Sequence, residues 1–130
     1  ERSGLPLTVV ISAANVNDHL VLPEILDSLP SVTNGVGHPR RRPGKLHAGK
    51  GYDHRVCRQQ IRRRGIVARI ARKGVESSTR LGLHRWTVER TMSWLAGCRR
   101  LHRRYERKAE HFLAFTSIAC TLICYRRLTK

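Results

Sequence analysis

The chain has 130 residues, enough for one domain whose core buries roughly two thirds of the unfolded surface, and its 26 Lys+Arg against 9 Asp+Glu give a net charge of +17. That balance departs from the near-neutral charge of most soluble enzymes and points to a polyanionic partner. Its four cysteines form no C-x-x-C pair and its longest apolar run, His111 to Tyr125, falls short of the ~20 residues that span a bilayer, which argues against a structural zinc site and a membrane anchor.

The charge is uneven. Residues 1–38 hold one Arg and four acids, net −3, whereas residues 39–130 hold 25 basic and five acidic groups, net +20. Free thiols without a visible secretory signal suit a reducing cytoplasm. The chain opens on Glu1, directly ahead of a strand pattern, as a segment of a longer protein does.

LPLTVVISAAN, Leu5 to Asn15, is rich in β-branched residues and reads as a strand. NDHLVLPEILDSLP then places Leu20, Val21, Leu22, Ile25, Leu26 and Leu29 at helical spacing behind an Asn17 or Asp18 cap, with Pro30 as the stop. TNGVGHPRRRPG, residues 33–44, has no periodicity and reads as a basic loop. KLHAGKGY predicts a short strand ending in a glycine turn. DHRVCRQQIRRRG follows as a helix, with Val56, Cys57, Gln60 and Ile61 on one face, Asp53 as N-cap and Gly65 as C-cap. IVARIARKG alternates with a period of two and reads as another strand. The order β, α, β, α, β predicts an α/β fold with a partly parallel sheet covered by helices.

A Ser/Thr/Gly loop, Gly74 to Gly82, leads into HRWTVERTMSWLAGCRRLHRRYERK, which reads as one long helix. Val88, Met92 and Leu95 line one of its faces, widened by Trp94, Cys98, Leu101 and Tyr105, while Arg99, Arg100, Arg103, Arg104 and Arg107 make a cationic surface. Ala109 to Arg127 is a second, more apolar helix, so the chain ends in two consecutive helices.

Glu89 lies inside the first of these helices with Arg85 one turn before it. The spacing fits a metal ligand, or one half of an i, i+4 ion pair worth roughly 0.3–0.5 kcal/mol. The Gly49-Lys50-Gly51 turn matches no phosphate-loop pattern. The arginine run, without aromatic residues interleaved along it, supports contact with phosphates rather than stacking on bases.

Three strings carry a resemblance: PLTVVISAANVND, AGKGYDHRVCRQQIRRRGI and RWTVERTMSWLAGCRRLHRRYER. In this order they resemble the C-terminal part of the DDE transposases of bacterial insertion sequences, over essentially all of residues 1–130. The resemblance implies an RNase H-like fold, here incomplete at its N-terminal edge, with a mixed sheet flanked by helices. It implies DNA transposition through three carboxylates that hold two Mg²⁺ or Mn²⁺ ions about 4 Å apart, which activate water and then a DNA 3′-hydroxyl.

By that match Glu89 stands at the family's Glu position and Arg85 fits its R-x-x-x-E arrangement. Glu1 stands at the first Asp position, and Gly49 at the second, where the family reads A-D-K-G-Y-D. Asp53 matches a further family Asp and reads as a cap rather than a substitute ligand, and Asp18 as a helix-start residue. The implied metal ligands are therefore Glu89 and Glu1, with the central one lost. The implied DNA contacts are Arg40, Arg41, Arg42, Lys50, Arg85, Arg90, Arg99, Arg100, Arg103 and Arg104. Insertion-sequence ends and target DNA are the expected partners, with a second copy or a full-length transposase beside them and no membrane, in the bacterial cytoplasm at the nucleoid. The alternative is a non-catalytic basic nucleic-acid-binding module that modulates a full-length transposase.

Overall fold

A computed structural model describes residues 1–33, 35–74 and 78–129, with side chains in the last stretch from residue 85 onward. The chain divides into two compact units, residues 12–81 and residues 1–11 with 82–130.

In the first of these units, a 3-10 turn at Asp18–Leu20 leads into helix α1, Leu22–Asp27. Its onset is set by Pro23, whose ring fixes a helical φ where no intrahelical N–H is needed, and not by the Asn17 or Asp18 side chain, neither of which caps a backbone N–H. Strand β1, Lys45–Ala48, passes through a 3-10 turn at Lys50–Tyr52 into helix α2, Arg55–Arg63. Strand β2, Val67–Ile70, returns parallel to β1, with Lys45 opposite Val67 and Ala48 opposite Ile70. A helix between two parallel strands is the expected crossover.

The core follows from the strand alternation. Leu46, Ala48, Ala68 and Ile70 face α2, whose Cys57 and Ile61 pack with Leu22, Leu26 and Ile66. Helix α2 ends in a reciprocal pair of backbone bonds, Gly65 N–H to Arg62 C=O at 2.8 Å and Ile66 N–H to Ile61 C=O at 3.1 Å. Gly65 has φ +66°, the left-handed conformation that this motif demands, and Ile66 lands on Ile61 in the core. Arg64 then reaches both carboxylate oxygens of Asp27 at 2.8–2.9 Å, tying the end of α2 to the end of α1.

The basic loop is less free than expected. Val32 and Arg40 form an isolated antiparallel bridge, Arg41 Nε donates to Ser31 Oγ at 3.0 Å, and Arg42 Nη1 reaches the Arg64 carbonyl at 3.4 Å.

In the other unit, residues 5–11 belong to no strand, and neither do residues 12–13. The expected strand from Leu5 is therefore corrected: a strand exists only as a member of a ladder, and the one sheet among the described residues contains β1 and β2 alone. Helix α3 spans Ser78–Ala96, starting inside the stretch read as a loop, of which residues 75–77 lie outside the description.

Helix α3 stops at Gly97, twelve residues short of the expectation. The Gly97 N–H closes the last turn on Ser93 C=O at 3.0 Å, and Arg99–Leu101 form only a 3-10 turn. Arg99 to Arg107 therefore do not share a helical face; they lie on the connector to helix α4, Ala109–Leu128. The expected stripe is also corrected, since Val88 and Met92 are 62% and 59% exposed. The residues of α3 that meet residues 3 and 4 are Thr87, Arg90 and Thr91, between about 60° and 160° around the helix from Val88 and Met92. Helix α4 buries Thr116, Ala119, Cys120 and Ile123, as its apolar pattern predicts.

Candidate functional site

Glu89 is placed by the middle of α3, and its carboxylate accepts from Arg85 Nε at 2.7 Å. Both side chains are more than 60% exposed, so the pair contributes little to stability and the carboxylate remains open to an incoming group. Of the two spacing-based readings, this i, i+4 pair is the geometry seen.

Glu1 is engaged differently. Its carboxylate Oε1 accepts from the Ser3 N–H at 2.8 Å, the Leu5 N–H at 3.1 Å and the Ser3 hydroxyl, inside a turn closed by Gly4 N–H to Glu1 C=O at 3.0 Å. Partial burial works to raise this carboxyl, but the hydrogen bonds from Ser3 and Leu5 outweigh it and hold Glu1 below its usual value. Gly4, with φ +84°, lets the turn lie against α3. A Cβ there would come within 3.0 Å of Arg90 Nη2 and Thr91 Oγ1, and those side chains instead donate to the Ser3 and Gly4 carbonyls. Glu89 stands about 200° around the helix from Thr87, so its side chain leaves α3 on the face away from this turn. The structure thus pairs Glu89 with Arg85 and Glu1 with its own turn.

Gly49 belongs to the other unit, at the C-terminal end of β1 and the start of the Lys50–Tyr52 turn. Its φ of −72° and ψ of 174° are open to any residue, and a Cβ built there meets nothing within 4 Å. Neither backbone nor packing requires glycine at this position. Asp53, four residues on, is not the N-cap of α2; that position is His54, whose side chain makes no cap bond. The Asp53 carboxylate instead accepts from Arg58 at 2.6 and 3.1 Å and from the Lys73 N–H at 2.9 Å, joining the start of α2 to the segment after β2. The Lys73 N–H first, and the Arg58 guanidinium second, hold its carboxyl below the ordinary aspartate value. Arg58 completes the clamp by donating to the Ile70 carbonyl at 3.2 Å.

A pair of divalent cations requires several convergent carboxylates. The residues present do not fit one. Gly49 carries no donor, which leaves the set one carboxylate short, while Glu1 Oε1 accepts from backbone N–H groups and the exposed Glu89 accepts from Arg85. Among the described residues, no three His, Cys, Asp or Glu side chains gather where they can hold a metal.

The expected DNA-contacting arginines fall into two kinds. Arg90 lies between Trp86 at 4.2 Å and Trp94 at 5.0 Å, and Arg127 covers Trp94 at 4.3 Å, so this guanidinium–indole stack engages Arg90 within the fold. Arg100 Nη2 binds Glu106 Oε1 at 2.7 Å. Arg99 and Arg103 are exposed without a partner among the described residues. The stack was readable in the sequence as Trp86, Arg90 and Trp94 at four-residue spacing, whereas the Arg100–Glu106 and Asp53–Lys73 links cross irregular backbone and left no periodic signal. All four cysteines are free, and burial pushes the Cys57 and Cys120 thiols up. No described helix is long and apolar enough to cross a membrane.

These features define a strongly cationic α/β chain: a βαβ unit with an open strand end, and a long helix bearing a carboxylate beside arginines. The family model for the transposase DDE domain matches residues 1–124, and the chain belongs to that family. It is 40% identical over 130 residues to a Burkholderia cepacia protein named as a transposase for insertion sequence element IS402. The match covers all of this chain and 62% of that relative, so the chain spans less than two thirds of its length. No solved structure matches the chain.

Proposed function

We propose that this chain is a portion of an insertion-sequence transposase with an RNase H-like catalytic domain, whose metal site is disabled at its second carboxylate. The observation that carries the reading is Gly49, a residue without a side chain at the tip of β1, in a backbone conformation that does not call for glycine. The parallel βαβ unit behind it suits an RNase H-like sheet. Glu89, exposed on a basic helix, suits the family's third carboxylate, and Glu1 the first. Arg40, Arg41, Arg42, Lys50, Arg85 and the connector arginines supply the positive surface for insertion-sequence ends and target DNA. Divalent Mg²⁺ or Mn²⁺ supplies the chemistry of strand cleavage in the family.

The test is nicking and strand transfer on duplex DNA carrying the element's ends, with Mg²⁺ or Mn²⁺. The native chain is expected to be inert, and Gly49→Asp to gain metal-dependent nicking that Glu89→Ala removes. Robust cleavage by the native chain, abolished by Glu89→Ala, overturns the disabled-site reading.

A second reading is supported by the net charge of +20 over residues 39–130: a non-catalytic DNA-binding chain that modulates a full-length transposase by occupying its sites or joining its assembly. It predicts that the native chain lowers transposition when expressed beside an active relative.

A further inference from the structure

The connector between α3 and α4 carries Arg99, Arg100, Arg103, Arg104 and Arg107 within nine residues, together with one carboxylate, Glu106. Five cations so close on irregular backbone repel one another and splay unless something fixes them. Glu106 does so from inside the fold. Its side chain is 4% exposed, Oε1 accepts from Arg100 Nη2 at 2.7 Å, and the Glu106 carbonyl accepts from Arg104 Nε at 3.0 Å. The two captured guanidiniums also lie over rings, Arg100 over Tyr105 at 5.1 Å and Phe115 at 4.7 Å, and Arg104 over Phe112 at 5.8 Å. Phe112 and Phe115 belong to the first turns of α4, so the captured side is held to that helix. Glu106 Oε2 is buried and, among the described residues, has no hydrogen-bond partner, which makes this carboxylate costly unless Arg100 stays in place. The side chains of Arg99, Arg103 and Arg107 are exposed and engage no described residue.

We infer that Glu106 is a positioning residue for DNA binding: by taking up Arg100 and Arg104 it sets the connector so that Arg99, Arg103 and Arg107 are its phosphate-contacting side chains. This rests on the DNA-binding part of the proposed function, and it divides arginines that the sequence alone treats as equivalent. Arg100 and Arg104 become structural, and Arg107 joins the contact set.

The experiment measures binding of the full chain to a mixed-sequence DNA duplex against NaCl concentration. Each of Arg99→Gln, Arg103→Gln and Arg107→Gln is expected to reduce the log–log slope by about 0.9, and the triple variant by about 2.7, with no change in thermal melting. Glu106→Gln discriminates by sign. Removing a negative charge from a DNA-binding surface tightens binding if Glu106 acts only through its charge, whereas loss of positioning weakens it and lowers the slope. Tighter or unchanged binding by Glu106→Gln overturns the inference, as does a slope that survives the triple variant and is lost in Arg100→Gln or Arg104→Gln. Where Glu106→Gln fails to fold, the surface triple variant still decides. A native slope near zero overturns the DNA-binding reading itself, while a steep native slope unchanged in the triple variant overturns the positioning role alone.

Discussion

The backbone N–H of Lys73 donates to Asp53 Oδ2 at 2.9 Å, closing the end of the two-stranded sheet from which Gly49 projects. The same carboxylate holds Arg58, which in turn reaches the last carbonyl of β2. One aspartate therefore ties the start of α2 to the segment after β2, beside the Ala71 N–H to Ala48 C=O bond at 3.1 Å that joins the two strand ends directly.

Its titration follows. The folded carboxyl lies below its ordinary value because the Lys73 N–H and Arg58 favour the charged form. A lowered folded value contributes stability that is fully present above the unfolded aspartate range and is lost as pH falls through the folded value. Asp53→Asn is expected to lower the melting temperature at pH 7 and to flatten the decline of stability below about pH 4, as read by thermal melts from pH 2 to 7.

Ile61 has no exposed surface and sits where α1, α2 and β2 meet. Ile61→Ala leaves a cavity and is expected to cost about 2–5 kcal/mol. Urea unfolding monitored by circular dichroism checks this, and the midpoint should fall without a change in slope.

Two glycines give opposite results. Gly65→Ala places a Cβ at φ +66°, within 2.7 Å of the flexible Arg42 side chain, and is expected to cost about 1–2 kcal/mol. Gly49→Asp enters ordinary extended backbone and open space, so it should change stability by less than about 0.5 kcal/mol. Denaturation of the two variants side by side tests the contrast.

Arg85 and Glu89 form an exposed pair, so Glu89→Gln should alter stability by no more than about 0.5 kcal/mol. In the Gly49→Asp background the same change is expected to remove metal-dependent nicking. A large loss of stability in Glu89→Gln would instead mark the pair as structural.

The legible parts of this molecule are those written in local periodicity. The βαβ unit, the Gly65 stop of α2 and the extent of α4 follow from alternation, helical spacing and a left-handed glycine. Leu5 to Asn15 misleads because β-branched composition reports fitness for a sheet, while membership depends on a neighbour that the segment does not contain. The end of α3 was legible in Gly97 but hidden by the arginine periodicity that runs on past it. At the candidate site, the Arg85–Glu89 pair was readable from spacing. Asp53 was not, because its partner lies twenty residues away on a turn with no pattern of its own.

The open surroundings of Gly49 make this position a clean place to introduce chemistry. Nothing in the backbone or the packing has grown around the glycine, so a larger side chain can be placed at this strand end without any compensating substitution elsewhere, and variants at this position report the chemistry of the added group rather than a rearrangement of the fold.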